Sequence, residues 1–156
     1  MTYTKKVMEH FMHPKNTGEI KQADSTGEAG NLACGDIIKI YLKITKNKKQ
    51  EPVIKDIKFK AFGCAAAIAT SSALTEIAKG KTLKKALQIT NKEVIKELGG
   101  LPTMKIHCSL IGIDALKAAI YNYLKKNKKE IPEELKKEYK KIHKTIEKIK
   151  KRQCKT

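Results

Sequence analysis

At Gly63-Cys64 the hydrophobic period of the chain changes from two to about 3.6, and this switch constrains the fold more than any other feature. Upstream, Ile37 to Thr45 alternates: Ile38, Ile40, Leu42 and Ile44 point one way, and Lys39, Tyr41, Lys43 and Thr45 the other. The polar segment 46–52 turns the chain. Val53 to Phe62 then returns as a second strand with Ile57, Phe59 and Ala61 on its inner face. The pattern predicts an antiparallel hairpin with one covered face. Downstream, Ala65 to Lys79 reads as an Ala-rich helix closed by Gly80. Short helices follow at Leu83–Gln88 and Lys92–Leu98, after the N-cap residues Thr82 and Asn91. Gly99-Gly100-Leu101-Pro102 breaks the chain, and a longer helix runs from near Cys108 to Asn127. At the other end, Thr4 to Met12 is a short amphipathic helix stopped by His13-Pro14. Residues 16–36, rich in Gly, Asn, Asp and Ser, read as loop with room for a short edge strand.

Pro132-Glu133-Glu134 opens a last helix, with proline in the first turn and acids where the helix dipole favours them. Leu135, Tyr139, Ile142, Ile146 and Ile149 form its apolar stripe. The expected plan is α+β: a small antiparallel sheet covered by helices on one face, spanning residues 1–127, and a basic amphipathic extension over 128–156. A chain of 156 residues suffices for one domain with a core, and 40% apolar with 32% charged residues excludes wholesale disorder. No apolar run approaches the ~20 residues of a membrane span, and Met1 to Lys6 leads into no secretory segment. A cytoplasmic, reducing setting is expected, where thiols serve as metal ligands or reactive groups more often than as disulfides. The net charge of +18 raises nucleic acid as a partner, and half of the excess lies in residues 125–156. Against specific recognition, Arg152 is the sole arginine, Trp is absent and aromatics are 5%. Nonspecific polyanion affinity is all that this charge implies.

Four cysteines remain to be explained. Cys34, Cys64 and Cys108 each sit at a junction between elements, and Cys154 lies in the charged tail as a spare thiol. Their spacings match no zinc-finger or ferredoxin pattern, so a shared site has to be assembled by the fold; three buried, inert cysteines are the alternative. Asp36 stands two residues from Cys34 across a glycine. Cys64 opens a helix, where the dipole favours thiolate. Cys108 has His107 beside it and Lys105 nearby, a setting for an accessible thiolate. Three such cysteines with an Asp and a His suit a mixed sulfur, nitrogen and oxygen site for iron or zinc. A cysteine–histidine hydrolase is disfavoured, because His107 and Cys108 are consecutive and would project apart on a regular backbone. His10, His13 and His143 fall in helices or at helix ends and read as surface or satisfied groups.

Together, Ala33-Cys34-Gly35-Asp36, the run Phe59 to Cys64 and the run Leu101 to Cys108 resemble the iron–sulfur cluster assembly scaffolds of the IscU/NifU N-terminal family. Val7 to Phe11 and His13-Pro14-Lys15-Asn16 are similar to that family's opening helix and turn, so the resemblance covers residues 1 to about 126. It implies a stand-alone scaffold and carrier, not an enzyme, on which a transient [2Fe–2S] cluster is built from iron and sulfur, with zinc possible in the cluster-free form. Cys34, Asp36, Cys64, His107 and Cys108 would be the cluster residues, and Cys108 the persulfide acceptor from a cysteine desulfurase. His107 separates the chain from the SufU branch. Three thiolates leave one terminal position of such a cluster to Asp36 or His107. The implied partners are the desulfurase, an electron donor such as a ferredoxin, and apo iron–sulfur acceptor proteins. Thr103-Met104 stands where the family's chaperone loop has Pro-Val, which argues against dependence on a DnaK-type chaperone. A structural zinc protein with the same ligands is the alternative, and a nucleic-acid module a more distant one.

Overall fold

The computed structural model describes residues 2–154. Strands β1 (Ser25–Gly30), β2 (Ile37–Lys46) and β3 (Pro52–Phe62) form an antiparallel sheet in the order β1-β2-β3. The expected hairpin is β2–β3, with Ile37 opposite Phe62 and Leu42 opposite Ile57. Ile38, Ile40, Leu42 and Ile57 are fully buried on its inner face. The register shifts between Lys43 and Ile44, where the Ile44 N–H donates to Asp24 Oδ2 at 2.7 Å.

β1 lies within the stretch read as loop. Its inward residues Ser25, Gly27 and Ala29 oppose Leu42, Ile40 and Ile38, and they are too small to register as a hydrophobic period. The cause is the long helix α5 (Ile106–Lys126), which presses on this strand: a Cβ at Gly27 would stand 2.1 Å from the Ala119 nitrogen. Small residues here are a docking surface for a helix backbone.

The remaining core helices are α1 (Lys5–Met12), α2 (Ala65–Ala78), α3 (Leu83–Ala86) and α4 (Asn91–Glu97). Inner-face cover comes from α2 over β3 and α5 over β1 and β2. Ala66, Ala67, Ala69 and Ala73 have no exposure, so α2 lies close to its neighbours. Thr90, not Asn91, caps α4, accepting from the Glu93 N–H. Beyond α1, the chain returns along the free edge of β3, where Phe59 donates to the Asn16 carbonyl and accepts from the Gly18 N–H.

The last helix, α6 (Glu133–Cys154), turns its apolar stripe to α5 and β1. Leu135 and Ile142 join the main core, and Tyr139 stacks on Tyr121 with ring centroids 3.8 Å apart. Ile146 and Ile149 pass the sheet edge and pack with Ile37 and the half-buried Leu32. One corner of the sheet's outer face is therefore covered as well.

Candidate functional site

The strand register builds the site. Because Ile37 opposes Phe62, the next residues outward, Asp36 and Gly63, lie side by side. A Cβ on Gly63 would stand 2.6 Å from Asp36 Cγ, so the missing side chain is the space the carboxylate occupies. Asp36 is 7% exposed. Cys64 is the N-cap residue of α2, and its side chain makes no capping bond, which leaves the sulfur free to face the site. Cys108, in the first turn of α5, places its Sγ 3.7 Å from Cys64 Sγ. One donor atom from each of Asp36, Cys64 and Cys108 lies within 4.8 Å of the others, the sole such group among the described residues.

The other expected ligands stand at its rim. Cys34 is exposed on a turn organised by Asn31, whose Oδ1 accepts from the Ala33 and Cys34 N–H groups at 2.8 and 3.2 Å. Gly35 completes the turn at φ +74°, a left-handed conformation that favours glycine. Partial burial raises the Cys34 thiol above its ordinary pKa; the Asp36 N–H opposes this and the Asp36 carboxylate adds to it, so loop and carboxylate are in electrostatic contact. His107 Nε2 lies 3.6 Å from Cys108 Sγ, although the two residues are consecutive on a helix. Their ring and sulfur do meet, contrary to the projection expected from sequence.

A second correction concerns Cys108. Its neighbours suggested an accessible thiolate, yet it has no solvent exposure. Burial first, then the Cys64 thiol, push its pKa up to about 12, and the opposing pull of Lys105 is the smaller effect. Lys105 itself is held above the ordinary lysine range, chiefly by Cys64, with Tyr3, Cys108 and Asp36 adding. Its charge acts directly on the group. Sequence reading missed Gly63 as the carboxylate's space and the exposed apolar pair Phe62 (74%) and Met104 (84%), which adjoin Gly63-Cys64 and Lys105 in the chain. Alternation had already turned Phe62 away from the inner face, so that signal was available. Cys154 is exposed at the end of α6; His10 bonds Ser72 Oγ at 2.7 Å, and His143 pairs with Glu147 at 3.0 Å.

Two thiols, a buried carboxylate, an imidazole and a third thiol on a rim loop make a mixed soft and hard donor set. The chain matches the NifU-like N-terminal domain over residues 2–130. It is 53% identical over 127 residues to an iron–sulfur cluster assembly scaffold protein IscU of Archaeoglobus fulgidus, covering 81% of this chain and 80% of the relative. To the protein of the same name from Aquifex aeolicus it is 46% identical over 124 residues, covering 80% and 77%. A solved NifU-like N-terminal protein from Brucella abortus shares the fold, with a TM-score of 0.59 at 20% identity over 79% of this chain and 94% of that one. With its thiol site formed between β2, α2 and α5, the chain belongs to the NifU-like N-terminal domain family.

Proposed function

We propose that this protein is a scaffold on which a [2Fe–2S] cluster is assembled from iron and desulfurase-derived sulfur and then passed to apo acceptor proteins. The observation that carries the reading is the preassembled Asp36, Cys64 and Cys108 group with Cys34 and His107 at its edge. The IscU relatives, named as assembly scaffold proteins, support it. Cys34, Cys64 and Cys108 supply three thiolates, and Asp36 or His107 the fourth donor. A carboxylate or imidazole is held less tightly by a soft iron–sulfide core than a thiolate, which suits a cargo that must leave. Lys105 offsets part of the negative charge that such a cargo brings.

In the sulfur-acceptance step the Cys108 thiolate attacks the outer sulfur of a desulfurase persulfide. A sulfur–sulfur bond forms on Cys108, the bond on the desulfurase breaks, and its cysteine thiolate leaves. Reduction to sulfide then needs electrons from a donor such as a ferredoxin. Because Cys108 is buried, the step requires local opening on docking, and Phe62 and Met104 offer apolar surface for it. Thr103 begins a 3₁₀ turn through Lys105, which supports the reading that this loop does not depend on a DnaK-type chaperone. No helix among the described residues is long and apolar enough to cross a membrane.

A second reading, a structural zinc protein, is favoured by the compactness of the group, which suits a single ion. Anaerobic reconstitution with iron, cysteine and a desulfurase, followed by absorption and Mössbauer spectroscopy, decides between the two. The scaffold reading expects a [2Fe–2S] spectrum and release to an apo-ferredoxin. Zinc that resists iron and sulfide, and whose removal unfolds the protein, would overturn it.

A further inference from the structure

We infer that the C-terminal end of α6 holds the loop carrying Cys34 and Asp36 in its ligating position, so that Ile149 and Arg152 are positioning residues for the site. This rests on the ligand set proposed above. The loop and the helix end meet over Gly30: a Cβ there would stand 2.6 Å from Ile149 Cδ1 on one side and 2.8 Å from the Asp36 carbonyl oxygen on the other. Ile149 (3% exposed) and Ile146 pack with Ile37, the residue after Asp36, and with Leu32, two residues before Cys34. Arg152 Nη1 donates to the Leu32 carbonyl at 3.4 Å, and Lys150 pairs with Glu28 at 3.3 Å on the adjoining strand. Both ends of the loop are thus fastened to one helix end.

Inside the loop, order depends on Asn31. Its N–H donates to the Asp36 carbonyl at 3.0 Å, its carbonyl accepts from Gly35 at 2.8 Å, and its side chain accepts from Ala33 and Cys34. Asn31 is therefore the hub of the turn, and Leu32 beside it is the residue that α6 grips. Cys64 and Cys108 need no such support, since each is fixed in the packed interface of α2 and α5. Residues 133–154 lie beyond the family match at 2–130, so α6 acts on the loop from outside the matched domain.

The test uses the full chain with Ile149→Ala, Ile149→Leu, Arg152→Ala, Cys34→Ser and, as a control that loosens the far end of α6, Leu135→Ala. Native-state amide exchange of the metal-free protein is read together with the thiolate-to-metal absorption of the Co(II)-loaded protein. Ile149→Ala should speed exchange at Ala33, Cys34 and Gly35 by about tenfold or more while amides of α2 and α5 hold. Its Co(II) band should fall by roughly a third, as in Cys34→Ser, with Ile149→Leu restoring both signals. Arg152→Ala should move both readouts in the same direction by less. Unchanged exchange in Ile149→Ala, or an equal rise in Leu135→Ala, would overturn the inference. If Cys34→Ser leaves the Co(II) spectrum of the wild type unchanged, the ligand set proposed above is wrong, and the exchange data alone decide whether α6 holds the loop.

Discussion

Cys64 and Cys108 are held by the core, and Cys34 is held by a turn. The first pair sits at the starts of two helices packed on the sheet, with sulfurs 3.7 Å apart, one half-buried and one fully buried. Cys34 is exposed, and its turn is fixed by one asparagine and by the end of α6. The difference separates two tasks that the proposed carrier role would combine. A rigid, desolvated pair keeps its geometry when empty, and a rim ligand can come and go without disturbing the core. Asp36 belongs to both halves: it stands in the loop by sequence, while its carboxylate is buried against Gly63.

The largest expected effect tests whether the buried half takes the chemistry first. Cys108→Ser should abolish persulfide transfer from a desulfurase, a loss of about 100-fold or more, while Cys154→Ser leaves it unchanged. Mass spectrometry locates the sulfur. Sulfur carried mainly on Cys34 would break the comparison, because the exposed rim thiol would then be the acceptor and the buried pair only a floor.

A tenfold effect should separate the two roles of Asp36. Asp36→Ala is expected to assemble a [2Fe–2S] cluster and to pass it to an apo-ferredoxin about tenfold more slowly, a barrier change of ~1.4 kcal/mol. Gly63→Ala reaches the same carboxylate from the other side, since the new methyl would occupy its position. It should slow transfer to a similar degree with Asp36 still present. Normal transfer in both variants, with a lowered melting temperature, would move the labile fourth ligand to His107.

Much of this could be read before any coordinates. The hairpin and the helices follow from alternation and capping, and the motif resemblance points to the five candidate site residues. What stayed hidden was governed by small residues and by chain ends. Ser25, Gly27 and Ala29 form an inward strand face with almost no hydrophobic signal, because their size is dictated by the α5 backbone. The burial of Cys108 was obscured by its charged sequence neighbours. Charged neighbours in sequence do not report depth, so Lys105 and His107 say little about the exposure of a thiol that lies against the core. The grip of Ile149 on Leu32 and Gly30 pairs residues more than 115 positions apart, beyond the reach of any local pattern.

Removing α6 should produce a moderate effect confined to the rim half. Truncation after Asn127 exposes the surface covered by Leu135, Ile142, Ile146 and Ile149. After the entropy of ordering the helix is offset, the net loss should be on the order of 3 kcal/mol, or roughly 10 °C in melting temperature. The truncated protein should still assemble a cluster, because every proposed ligand precedes residue 128, and it should release that cluster faster. A folded truncation that cannot assemble one would mean that the buried pair also depends on α6, which collapses the distinction between rim and floor.

The smallest expected effect concerns the opposite face of α5, where Asp114 lines a cavity of about 90 Å³ with Ala29, Gly30, Lys141, Ile142 and Thr145. Burial raises the Asp114 carboxyl from its ordinary 3.8 to about 6; Lys117 opposes the shift and Glu138 adds to it. The folded chain therefore binds this proton more tightly than the unfolded chain does. Stability conferred by the protonated acid is complete below pH 4 and is lost as pH rises towards 6, after which the charged form remains as a constant penalty. Asp114→Asn removes the charge and keeps the shape, so the variant should match the wild type near pH 4 and melt higher at pH 7. With partial exposure discounting the full shift, the gain should be about 1–2 kcal/mol. Because Glu138 and Lys141 belong to α6, the gain should vanish in the truncation after Asn127, where the cavity opens to water. A variant that melts lower than the wild type at pH 7 would show that attraction between Asp114 and Lys117 outweighs burial. In that case Asp114 is held by attraction within α5, and α6 is fastened at this point by its apolar stripe and by the Lys117–Glu138 ion pair.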